Sequence, residues 1–162
     1  MNEPLRPRQW LLLGIIALWL AFQVLVPLRH LLYPGNVSWT EEGHRFAWHM
    51  KLRDKEADAR FFATDPASGQ SGEVDPLQYL TDWQYDEMAA RPDMIVQLAK
   101  EMERRAATDF GIADLAVNAQ VSASLNGREA EPRIDAEVDL TEIELSPFRS
   151  ADWIEPLTKP LP

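Results

Sequence analysis

The feature that most constrains this chain is an uncharged run near its start, Trp10 to Val26 (WLLLGIIALWLAFQVLV), in which Gln23 is the one strongly polar residue. A helix built from it is apolar on every face, whereas a helix on a soluble core keeps a polar stripe. Crossing a bilayer core takes about 20 apolar residues at roughly 1.5 Å each. The run reads as a transmembrane helix, taken as residues 10–28. A cleavable signal peptide shares the basic start and the short apolar length, but no small-x-small cleavage pattern comes after it, only Pro27-Leu28-Arg29. Arg6 and Arg8 ahead of the run favour a cytoplasmic N-terminus, residues 1–9, which places 29–162 outside the cytoplasm. Arg29 puts a cation on the far flank as well.

The chain beyond the run is long enough for one modest globular domain. From His30 onward it carries thirteen basic against twenty-five acidic side chains, a net charge near −12. Such a charge repels phosphate backbones and anionic lipid, so nucleic acid is excluded as a partner. With no cysteine, disulfides and thiol chemistry are absent, and the redox compartment leaves no mark.

Periodicity then divides the domain. RFAWHMKLR, Arg45 to Arg53, alternates Phe46, Trp48, Met50 and Leu52 against Arg45, His49, Lys51 and Arg53, the period of a half-buried strand. DKEAD reads as a turn and ARFFATDP as a returning strand, giving a first hairpin. ASGQSG is a polar loop and EVDP a short extended piece. Thr81 with Gln84 three residues on has the form of a capping box for a helix over 82–90. A second helix starts at Pro92, keeps Met94, Ile95, Leu98 and Met102 on one face, and stops at Gly111. From Leu115 to Leu125 period two returns, and Asn126-Gly127 signals a hairpin whose partner strand should cover Arg133 to Leu140. The proline-rich tail should lie on the surface, pinned by Phe148 and Trp153. The fold class is α+β: one N-terminal transmembrane helix, then an antiparallel sheet with two helices.

Several blocks together resemble one family. PLRHLLYPGNVSWTEEGHRFAWHM, DPLQYLTDWQYDEMAARPDMIVQLA, SLNGR and SPFRSADWIEPL occur in the order found in the vitamin K-dependent γ-carboxylase family and its bacterial HTTM-domain relatives, from about Val24 onward. The resemblance implies a bundle of membrane helices carrying an extracytoplasmic, sheet-rich domain. It implies lyase-type chemistry in which vitamin K hydroquinone, oxygen and carbon dioxide convert peptide glutamate to γ-carboxyglutamate. The family assigns activation of the quinol to a lysine in earlier membrane helices. One span cannot build a quinone pocket, so the expectation is a membrane-anchored C-terminal portion, inactive without the catalytic bundle, with that bundle and an acidic peptide as partners. The alternative is a single-span protein whose extracytoplasmic domain binds a protein partner; a secreted domain is the third reading. Two departures from the family stand out: Ser122 and Ala123 replace an aromatic before SLNGR, and Asp135 to Asp139 (DAEVD) replaces Asp-Pro-Arg-Val-Asp, with Glu137 at the arginine position.

Within that resemblance His30 matches a histidine at the seam between membrane and lumenal domain, and becomes the candidate catalytic residue. Imidazole titrates near neutral pH and can donate to a carboxylate or shuttle a proton. Equally, Arg29 and His30 would simply snorkel to headgroups. Arg29, Arg45, His49, Lys51 and Arg53 are candidate substrate-binding cations, weighed against a solvated strand face paired with Asp54, Glu56 and Asp58. Trp39, Trp48, Trp83 and Trp153 read as packing anchors. His30, His44 and His49 lack the i, i+4 helical spacing of a zinc site, so no metal is expected, and no cofactor-binding residue is assigned in this chain. Asn36-Val37-Ser38 has the form of a glycosylation sequon.

Overall fold

A computed structural model describes residues 6–48, 54–147 and 149–158. Helix α1, Pro7–Leu28, runs through the whole apolar stretch. Its side chains are exposed nearly throughout; Pro27, at its foot, is the one it buries. At about 1.5 Å per residue it is roughly 33 Å long, and it is the one helix among the described residues long and apolar enough to cross a membrane. The helix continues past the run's apparent end because Pro27 loses only one backbone N–H, and a 3₁₀ turn, Arg29–Leu32, comes directly after it.

The domain beyond is an α+β unit around a four-stranded antiparallel sheet. Its elements are a single helical turn α2 (Val37–Thr40), β1 (Lys55–Thr64), β2 (Ser71–Val74), α3 (Asp82–Ala89), α4 (Pro92–Arg105), β3 (Ala116–Leu125) and β4 (Glu131–Pro132). Strand order is β2-β1-β3-β4. β1 and β3 pair along their full length, from Lys55 opposite Leu125 to Thr64 opposite Ala116. Odd-numbered residues of both strands face α3 and α4: Ala59 and Phe61 meet Val117, Ala119 and Val121, and against them pack Met88, Ile95, Leu98, Ala99 and Met102. The even-numbered face, including Glu56, Asp58, Gln120 and Ser122, is open to water.

The two central helices obey their sequence signals. Gln84 Oε1 accepts the Thr81 N–H at 2.9 Å, which closes the N-terminus of α3. α4 begins at Pro92 and ends in a π turn, Ala106–Phe110, with Gly111 in the left-handed conformation (φ 70°) that stops it.

The first hairpin differs from expectation. DKEAD is the start of β1, not a turn, because Ala57 points inward while Glu56 and Asp58 point to water; alanine is too small to make the alternation visible. The neighbours of β1 are β2 and β3. Arg45 to Trp48 form turns and a bend, with Phe46 at φ 68°, which no strand residue adopts. Residues 49–53, including the remainder of the expected strand, lie outside the described residues. The second hairpin turns at Asn126-Gly127, both at positive φ, as their chemistry dictates. Its return strand is only Glu131–Pro132, since Pro132 cannot donate to a ladder and Asp135 then turns the chain by accepting the Glu137 N–H. The chain touches β3 again where Leu140 N–H donates to Val117 O at 2.8 Å. The tail is not merely superficial: Trp153 and Ile154 are core residues, and Ile154 bridges to Ile134.

Candidate functional site

The site forms where the foot of α1 meets the loop after α2. Asn36 Oδ1 accepts the Ser38 N–H at 2.8 Å and starts α2, so the sequon asparagine serves as a helix cap. Glu41 ends α2 at φ 66°, and Gly43 at φ 66° turns the chain back toward α1. Gly43 packs so closely that a Cβ there would lie 2.6 Å from His30 Cα. The loop ends beside Arg29, whose Nη2 donates to Arg45 O at 3.4 Å.

This loop, the start of α4 and the tail enclose a cleft of about 1020 Å³, with Arg29, Tyr33, Glu42, Arg45, Asp93 and Trp153 in its wall. Arg45 pairs with Asp93 in the first turn of α4, where a carboxylate also meets the helix dipole favourably. Tyr33 OH donates to Pro147 O, and Glu42 Oε1 accepts the Ala151 N–H at 2.7 Å, so both tie the tail to the seam. Burial pushes the Glu42 carboxyl above its ordinary pKa, and the Ala151 hydrogen bond only partly offsets this. Arg29 Nε is buried without a hydrogen-bond partner.

His30 is half-buried in the 3₁₀ turn. Its Nδ1 lies 2.7 Å from Pro27 O. A carbonyl only accepts, so Nδ1 carries a proton and donates it in this bond. Of the expected cations, Arg29 and Arg45 share the cleft. Arg45 is not part of a strand face; its partner is Asp93 rather than the acidic residues of β1. His49, Lys51 and Arg53 lie outside the described residues. Trp39 and Trp153 are buried as expected, but Trp48 and Trp83 are 68% and 67% exposed rather than packed in the core. Among the described residues no group of three His, Asp or Glu side chains converges as a metal site would require.

Behind the cleft lies a buried polar cluster. Arg133, fully buried, donates from Nη1 to Ala90 O and from Nη2 to Trp39 O, both at 2.6 Å, with Trp39 beneath its guanidinium. Lys55 Nζ also reaches Trp39 O, at 3.3 Å, and pairs with Glu41. These bonds fix α2 against the junction of α3 and α4, and so fix one wall of the cleft. Arg133 sits in the segment Glu131-Pro132-Arg133-Ile134-Asp135, just after the short strand β4. Glu42, Tyr33 and Asp93 escaped the sequence reading; the signal available was the adjacent carboxylates and glycine of Glu41-Glu42-Gly43 just after the seam.

A family model described as vitamin K-dependent gamma-carboxylase, lumenal domain, matches residues 8–160. The match takes in α1 and the seam as well as the sheet, the helices and the tail. No solved structure matches the chain.

Proposed function

The chain belongs to the vitamin K-dependent gamma-carboxylase lumenal-domain family, and from that premise we propose that it is the membrane-anchored extracytoplasmic portion of a γ-glutamyl carboxylase-like protein. In this reading α1 spans the bilayer with its N-terminus in the cytoplasm, and the domain lies on the other side. The cleft at the foot of α1 receives an acidic peptide segment, with Arg29 and Arg45 attracting its carboxylates and His30 near the point where that segment meets the membrane. The observation that carries this reading is the position of the cleft, directly at the end of the span-length helix, in a chain matched over nearly its whole length by a lumenal-domain family.

Vitamin K hydroquinone does not fit the residues described. It needs an enclosed apolar pocket; α1 is exposed around its circumference and the cleft wall is rich in charge. Quinol chemistry therefore belongs to membrane helices other than α1, which act with this chain as partners, and residues 8–160 on their own are inactive. What this chain contributes is binding, orientation and, at His30, a group for proton transfer. His30, which donates from Nδ1 to the Pro27 carbonyl, stands at the seam where the acidic segment would meet the membrane.

The test is glutamate carboxylation of an acidic peptide by membranes in which this chain acts together with its quinol-binding helices. His30→Ala is expected to lower turnover by about 100-fold, within the range for loss of a proton-transfer group, while Arg53→Ala retains most of it. Equal activity of His30→Ala and wild type removes the site.

A further inference from the structure

We propose a second lipid contact beside α1: Leu31 and Leu32 of the 3₁₀ turn and Phe46 and Trp48 of the loop after α2 rest in the interfacial layer of the leaflet that α1 leaves. This rests on the reading that α1 spans the bilayer.

Four observations converge on it. These side chains are 69%, 82%, 78% and 68% exposed, whereas Trp39 and Trp153 of the same domain are buried. The loop is held at the foot of α1, not elsewhere, by the packing of Gly43 on His30 and the bond from Arg29 to Arg45 O. Phe46 takes up the left-handed conformation at φ 68°, a strained arrangement for an aromatic residue and one that clusters at functional positions. The level is also right. From Trp10, 63% exposed, to Leu32 the helix and turn rise roughly 33 Å at about 1.5 Å per residue, against a hydrocarbon core of about 30 Å. Trp10 then marks one boundary, and Trp48 with Phe46 the other, where aromatic rings of this kind concentrate. Lipid is the occupant the arrangement favours because Leu31 and Leu32 continue the apolar surface of α1 along the chain, and the bond from Arg29 to Arg45 O holds the Phe46 loop at the same foot.

Lacking cysteine, the chain permits single-site labelling. The 162-residue chain carrying Phe46→Cys, Trp48→Cys, Leu18→Cys or Ser122→Cys is labelled with bimane and reconstituted in vesicles of phosphatidylcholine with or without brominated acyl chains. Circular dichroism confirms that each variant is folded. Bromolipid should quench the labels at 46 and 48 at least about twofold more than the label at 122 on the open sheet face, as residence in the interface requires. Labels at 46 and 48 that respond to aqueous iodide and not to bromolipid, with Leu18→Cys quenched, overturn the contact and leave the span intact. Shielding of both from iodide and bromolipid indicates a protein occupant and also overturns it. An unquenched label at 18 refutes the span itself, and the contact with it.

Discussion

Gly43 offers a direct test of how the seam is built. Adding one methyl group there has two costs that can be separated. The first is conformational: at φ 66° an L-residue sits in the left-handed region, which costs about 1–2 kcal/mol relative to glycine. The second is contact: the new Cβ would lie 2.6 Å from His30 Cα, 3.0 Å from His30 N and 2.9 Å from Tyr33 Cε2. Two of these are backbone atoms and cannot swing away, so loop and turn must part, at about 1–3 kcal/mol for a forced methyl. Gly43→Ala should therefore destabilise the domain by about 2–5 kcal/mol, a large share of the roughly 5–15 kcal/mol typical of a domain. Gly69 is the matched control, at φ 71° with nothing within 4 Å of a Cβ. Gly69→Ala meets only the first cost. Urea titration of the detergent-solubilised protein, monitored by the fluorescence of buried Trp39 and Trp153, should place Gly43→Ala about 1 M below Gly69→Ala for a slope of about 2 kcal/mol/M. Equal midpoints would show that the loop does not rest on the His30 turn, and the description of the cleft would fail.

Other expectations arise from the same walls. Arg133→Lys keeps the charge but cannot reach two carbonyls on separate elements; the loss of one charge-assisted hydrogen bond should cost about 1.5–3 kcal/mol in the same titration. Glu42→Gln keeps an oxygen for the Ala151 N–H and removes the charge. Because burial raises the folded-state pKa of Glu42, its ionisation opposes folding. The cost is absent below the ordinary carboxyl range and complete above the raised value. The stability difference should therefore grow in favour of Glu42→Gln as pH rises through that window; a difference independent of pH would show that Glu42 is not desolvated.

Much of the fold is legible in the sequence where chemistry is local. The apolar run, the Thr81 and Gln84 cap, Pro92 at the head of α4, Gly111 at its end and the Asn126-Gly127 turn each specify backbone geometry through neighbours within a few residues. Legibility ends where the deciding partner is distant. β1 resembles a turn at its start because its inward side chains are alanines, and its assignment depends on β3, some sixty residues later in the chain. Arg45 alternates like a strand residue but is taken by Asp93 across the cleft. Trp153 is legible as an anchor of the tail, but the burial of Ile154 beside it depends on the distant bridge to Ile134. The site is half visible: His30 and Arg29 come from a contiguous motif, whereas Glu42, Tyr33 and Asp93 gain meaning only when the tail and α4 fold over the seam. The buried role of Arg133 is not legible in its own segment, because its partners are carbonyls of Trp39 and Ala90.

The most direct test of the central claim is the sidedness of the chain across the membrane. Single cysteines at Gln9 and at Ser122, in intact cells or right-side-out vesicles, are exposed to a membrane-impermeant maleimide before and after permeabilisation. The account expects Ser122→Cys to react from outside in sealed membranes and Gln9→Cys to react only once they are opened. Reaction of both from the same side, or the reverse order, would contradict a spanning α1 with an extracytoplasmic domain.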